Sequence, residues 1–199
     1  MNLGIVTSFL LGGLLLLSIL FFNAQLQSHT QEITITSITS EQLENIVTLV
    51  SHDINRIGYQ YTNIVMTSLE SKKIAFWGDI YDNDELDATN VTWSWGYNSE
   101  PVNSTTNPND YYLTRQGPTD KNTANGILKF PVTYFNIEYL NAMGVPTNNS
   151  STVREITIEI IVESPEPYYL PGSKGDNPQY YRTAFKRSFF PTNLNKNYY

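Results

Sequence analysis

The chain contains no cysteine and only two histidines, His29 and His52. Disulfides therefore cannot hold the fold, the redox compartment cannot be read from them, and most catalytic constellations are out of reach. There is no GxSxG, P-loop, GxGxxG or HExxH motif. Charge is scarce at the start: the first acid is Glu32 and the first base is Arg56. The net charge is −7 with no cluster of bases, which argues against nucleic acid as a partner. Lysine and glutamate are sparse, whereas Tyr, Asn and Thr are abundant, a composition suited to strands and exposed polar loops. No βαβ alternation and no second long helical pattern occurs.

What is present first is a run from Met1 to Phe22 with no charge and no proline. About 20 apolar residues make a helix long enough to cross a bilayer core of roughly 30 Å. A cleaved secretory signal normally has a basic n-region and a shorter apolar core, neither of which fits. The other readings are a plain membrane anchor and an anchor that packs against copies of itself in a filament core. The absent basic flank points to a leader removed ahead of residue 1. After a polar, uncharged stretch and the β-branched Ile33-Thr34-Ile35-Thr36, an amphipathic pattern takes over. Leu43, Ile46, Val47, Val50, Ile54 and Ile57 recur at spacings of three and four, one apolar stripe on a helix. Thr39 or Ser40 reads as a local helix start, and Gly58 as its stop.

Downstream the pattern is of strands. Ser71–Asp87 reads as a strand pair or a strand plus loop, and Asn90–Tyr97 alternates Val91, Trp93 and Trp95 against Thr92 and Ser94. A strand around Tyr111–Leu113 follows, then two runs within Gly126–Leu140 on either side of Pro131, which suits an edge or a bulge. Val153–Glu163 is the clearest strand, with Ile156, Ile158, Ile160 and Val162 on one face. Gln179–Phe190 reads as the last. The expected fold is α+β: one long N-terminal helix, apolar then amphipathic, packed on an antiparallel β-sheet. Its expected parts are an apolar segment 1–30, the amphipathic continuation 31–60, and a β domain 61–199.

Two clusters invite chemistry. Asp79, Asp82, Asp84 and Asp87, with Asn83 and Glu85 between them, form a candidate Ca²⁺ site. The EF-hand glycine is missing, and a solvated acidic turn is the plainer reading; no other cofactor is indicated. Trp77, Trp93, Trp95 and the tyrosine pairs suit a sugar platform, a core or a subunit interface. Ser51-His52-Asp53 has the residue types of a catalytic relay, but consecutive helical residues diverge by about 100°, so it reads as a solvated polar face.

A long apolar-then-amphipathic helix leading into an antiparallel sheet resembles the type IV pilin and pseudopilin superfamily. The likeness sharpens at Leu49–Tyr59, LVSHDINRIGY, similar to the segment ending the helix in large minor pilins and pseudopilins. Similar blocks are Ile74–Leu86 with Trp93 and Trp95, Phe135–Gly144, Val153–Val162 and Phe185–Leu194, together spanning most of the chain. One position departs: Ile5 stands where these proteins usually carry a mature-position glutamate, which some minor members also lack. The resemblance implies a non-enzymatic filament subunit at the cell surface, held in the inner membrane before assembly. Its partners would be copies of itself or related pilin-like subunits, packed through Leu10, Gly12, Gly13, Leu14, Leu17 and Phe21. Leu43, Val47, Val50, Ile54 and Ile57 would pack on the sheet. The alternative is an exported, membrane-tethered binding module for sugar or Ca²⁺ that stays monomeric.

Overall fold

The computed structural model describes residues 3–61, 63–81, 89–96, 102–120, 123, 125–168 and 178–194. Helix α1 (Leu3–Asn55) is one continuous element of 53 residues, about 80 Å long at 1.5 Å per residue. The helix start expected at Thr39 or Ser40 does not occur, because the β-branched stretch runs through both residues as unbroken helix. Thr30, Thr34, Thr36 and Thr39 donate to the carbonyls four residues back at 2.6–2.8 Å, so each hydroxyl is satisfied by the helix that carries it. Thr39 is fully buried and leads into the apolar stripe.

The chain leaves the helix through a turn around Gly58, whose φ of +72° is the left-handed conformation that favours glycine. Gly58 N–H donates to the Trp77 carbonyl at 2.9 Å, tying the helix end to the sheet. At Gly78 a Cβ would collide with the Arg56 carbonyl oxygen, so only glycine lets strand and turn approach this closely.

The strands form two sheets rather than the single sheet expected. β1 (Met66–Glu70), β2 (Lys73–Gly78), β3 (Thr89–Trp95), β4 (Tyr111–Gly117) and β5 (Gly126–Val132) make an antiparallel meander in sequence order. β6 (Tyr134–Asn141), β7 (Val153–Glu163) and β8 (Arg182–Phe189) make the second, with β7 central. β1 carries no clean alternation and was not legible as a strand. The break in the 126–140 region falls at Thr133 rather than Pro131. Thr133 is the single residue of chain between β5 and β6, and its N–H donates to the Ile161 carbonyl at 3.0 Å. Pro131 lies within β5 at the sheet edge, where its missing N–H breaks no ladder bond, and its carbonyl accepts the Gln42 side-chain N–H at 2.8 Å.

Helix α1 crosses β7 and β8. Ile156, Ile158, Ile160 and Val162 of β7 are buried there, in one cluster with Leu43, Ile46, Val50 and Ile54 of the helix. Period-2 and period-3.6 apolar patterns meet face to face, as a helix-on-sheet layer requires. The result is an α+β architecture with a long N-terminal helix on antiparallel sheets.

Candidate functional site

The helix divides into two surfaces. Leu10, Leu14, Leu17 and Phe21 are each more than half exposed, and a Cβ placed at Gly12 or Gly13 would meet nothing within 4 Å. No residue of the most apolar stretch is buried in the protein. The helix is long and apolar enough there to cross a membrane, as an anchor or signal sequence does. The second surface is enclosed: Leu43, Val50 and Ile54 lie in the core, as does Ile57 in the turn just beyond the helix, and Val47 packs half-buried against it.

At the boundary of helix and sheet sits a buried ionic centre. Arg115 of β4 donates from Nε to Asp53 Oδ2 at 2.7 Å and from its terminal nitrogen to Oδ1 at 3.0 Å. Trp93 Nε1 donates to the same Oδ2 at 2.8 Å, and Arg115 spends another N–H on the Pro118 carbonyl at 2.7 Å. Burial works against the Asp53 charge, but the groups donating to it from His52, Arg115 and Trp93, with the Arg115 charge, hold its carboxyl below the ordinary value. The solvated polar face expected at Ser51-His52-Asp53 is thus overturned at Asp53, which is wholly enclosed. His52 does reach Asp53, Nδ1 to Oδ1 at 3.5 Å, so that pair does not diverge as expected. The Ser51 hydroxyl bonds to neither, and no relay forms.

Of the candidate Ca²⁺ ligands, Asp79 alone falls among the described residues. Asp79 is buried and turned inward: its Oδ1 accepts the Tyr81 N–H at 3.2 Å, and its carbonyl accepts from Arg56 at 3.3 Å. Its side chain closes a turn, which corrects the solvated reading for this residue. Asp82, Asp84 and Asp87 lie outside the described residues. Among the described residues no group of three or more His, Asp or Glu could hold a metal ion. The tryptophans do not form a platform either. Trp93 is core, Trp77 stacks on Tyr61 at 5.4 Å, and Trp95 donates to the Val132 carbonyl at 3.0 Å.

A second carboxylate centre carried no local signal in the sequence. Glu163 of β7, also buried, accepts from Asn107 at 3.1 Å, Asn109 at 3.3 Å and the Arg182 guanidinium at 2.9 Å. Desolvation opposes its charge, yet these donors and the Arg182 charge hold its carboxyl low. They pin the 102–110 loop across the end of the three-stranded sheet, helped by Thr106 N–H on the Pro165 carbonyl at 3.0 Å. Comparison with protein-family models, curated proteins and solved structures found no match to this chain.

Proposed function

We propose that this chain is a structural subunit of a pilus-like filament at the cell surface, polymerising through its N-terminal apolar helix after being held in the inner membrane. The observation that carries the reading is the division of one unbroken helix into an exposed apolar half and a half locked into a β domain. The helix runs unbroken between them, and its far end is clamped by Asp53 and Arg115. A stiff apolar rod fixed to a polar head assembles into a polymer with rods inside and heads outside. The rod is prepared for dry packing, because the Thr7, Ser18 and Thr30 hydroxyls already donate to helix carbonyls at 2.8–3.0 Å. The glycines at 12 and 13 let a neighbouring helix come close.

The second reading, a monomeric tethered module, draws on the same rod, since an apolar run of this length also matches one bilayer crossing. Slow detergent removal separates the two, followed by light scattering and electron microscopy. The filament reading expects ordered polymers from the full chain and none from residues 29–199. Amorphous aggregate from the full chain, or a monomer reconstituted in vesicles at every density, turns the conclusion to the tethered module.

A further inference from the structure

The three-stranded sheet has a face turned away from the helix, and that face carries a cleft of about 500 Å³. Because β7 alternates, Ile156, Ile158, Ile160 and Val162 go to the core while Glu159, Ile161 and Glu163 go to the other face. The pinned 102–110 loop forms one wall, presenting Asn109 beside Tyr111. Tyr134 completes that side: the Tyr111 and Tyr134 rings both stand edge-on to Trp95, with centroids 5.8 and 6.1 Å away. Ile161 lines the cleft between these groups, and Glu159 and Arg182 supply its charged rim.

We propose that this cleft binds a neutral oligosaccharide. A pyranose has an apolar C–H face and a girdle of hydroxyls, and the cleft offers both complements. Tyrosine rings take the C–H face. A carboxylate accepts two hydroxyl protons, whereas an amide and a guanidinium donate. Charges on this face cancel in pairs, Glu159 with Lys186 at 3.3 Å and Glu163 with Arg182, so no net field selects a phosphate or a metal ion. The chain's charge of −7 disfavours an acidic polymer. Addition of a peptide strand along the outer edge of β6 is disfavoured too, because the Ile137 N–H there already bonds the Ser71 carbonyl at 2.8 Å. Finally, the loop is fixed by a buried carboxylate, so the walls stand in place before any ligand arrives, the arrangement expected of a binding site.

This inference does not depend on polymerisation, since the cleft lies wholly within the β domain. The test is a titration of the full chain, in a non-glycosidic detergent, with linear oligomers of glucose, galactose, mannose and N-acetylglucosamine, read by saturation-transfer NMR and calorimetry. Binding of at least one neutral oligomer is expected. Tyr134→Ala and Glu159→Gln should each weaken it about tenfold, while Tyr134→Phe, which keeps the ring, retains it. Both positions reach solvent, so thermal melting should be unchanged and a loss of binding is not a loss of fold. No binding across the panel, stronger binding of acidic oligomers, or binding that these variants leave intact overturns the proposal.

Discussion

Asp53 and Arg115, 62 residues apart in sequence, meet through two hydrogen bonds with neither side chain open to solvent. The pairing runs against local preference, because an acid in the last turn of a helix faces the negative end of the helix dipole. Tertiary structure supplies what the helix does not. Arg115 lies on an interior strand, and its guanidinium fork matches a carboxylate in plane. The pair therefore fixes how the helix sits on the five-stranded sheet, while the apolar stripe fixes it on the three-stranded one.

Asp53→Asn should destabilise the β domain by about 3–5 kcal/mol, because it leaves Arg115 buried beside a neutral amide. Replacing both partners with apolar residues of similar volume should be milder than either single change. Chemical denaturation of the two single variants and the double variant measures this. Additive losses would mean that the residues act independently.

Acid should weaken the fold through the same groups. The Asp53 and Glu163 carboxyls are held below their ordinary values, so their contribution is complete above the unfolded value of about 3.9–4.3 and is lost as pH falls through the lower folded one. Stability should thus drop below about pH 4, and Asp53→Asn should flatten that limb. Denaturation midpoints followed from about pH 7 to about pH 3 give the slope. An unchanged acid limb in the variant would assign the loss elsewhere.

Asp110 has the opposite sign. Burial raises its carboxyl, Thr105 and Thr133 lower it, and the Glu163 charge raises it again, with a net upward shift. Its favourable contribution is complete below the unfolded carboxyl value and is lost as pH rises through the higher folded one. Its Oδ2 is also buried without a hydrogen bond of good geometry, as is the Thr105 hydroxyl. Asp110→Asn mimics the protonated form, so it should stabilise the domain at neutral pH by about 1 kcal/mol. The thermal midpoint should rise at neutral pH and be unchanged in acid.

Sequence patterning reached some of this architecture and missed the rest for identifiable reasons. The helix stripe and β7 were legible because their partners are continuous apolar surfaces, which impose clean periods of 3.6 and 2. β1 was not, since Met66 is buried while Thr67 and Glu70 are exposed across a bulge. The split into two sheets rests on the turn at Thr133, where nothing in composition changes. In the sequence Asp53 sits among Ser51, His52 and Asn55, which together read as a solvated helix face. Its partner did leave a trace: Arg115 shares strand parity with Leu113, and an arginine on a buried face calls for a buried acid. Glu163 left none, because its burial comes from a loop more than fifty residues earlier in the chain. Of the acidic cluster, only Asp79 falls among the described residues, and it is turned inward.

The sharpest contrast is between two charges placed on one helix. Leu14 is 61% exposed and touches no part of the β domain, whereas Ile54 is completely buried against it. Leu14→Arg should therefore leave the melting of the domain unchanged. It should still oppose membrane insertion by about 2.5–3.5 kcal/mol, with a greater penalty in a dry core of packed helices. Ile54→Asp should do the reverse. It removes about 2–5 kcal/mol of packing and buries an unpaired carboxylate, so the domain should unfold while the apolar rod still partitions into lipid. Circular dichroism melts report the domain, and vesicle flotation with electron microscopy reports the rod. Should Leu14→Arg lower the melting temperature, the exposed half must be folded against the domain, and the division of the helix into two independent surfaces is wrong. Should the variant melt normally and also form normal filaments, the rod is not the polymer core, and the contacts between subunits must lie on the β domains.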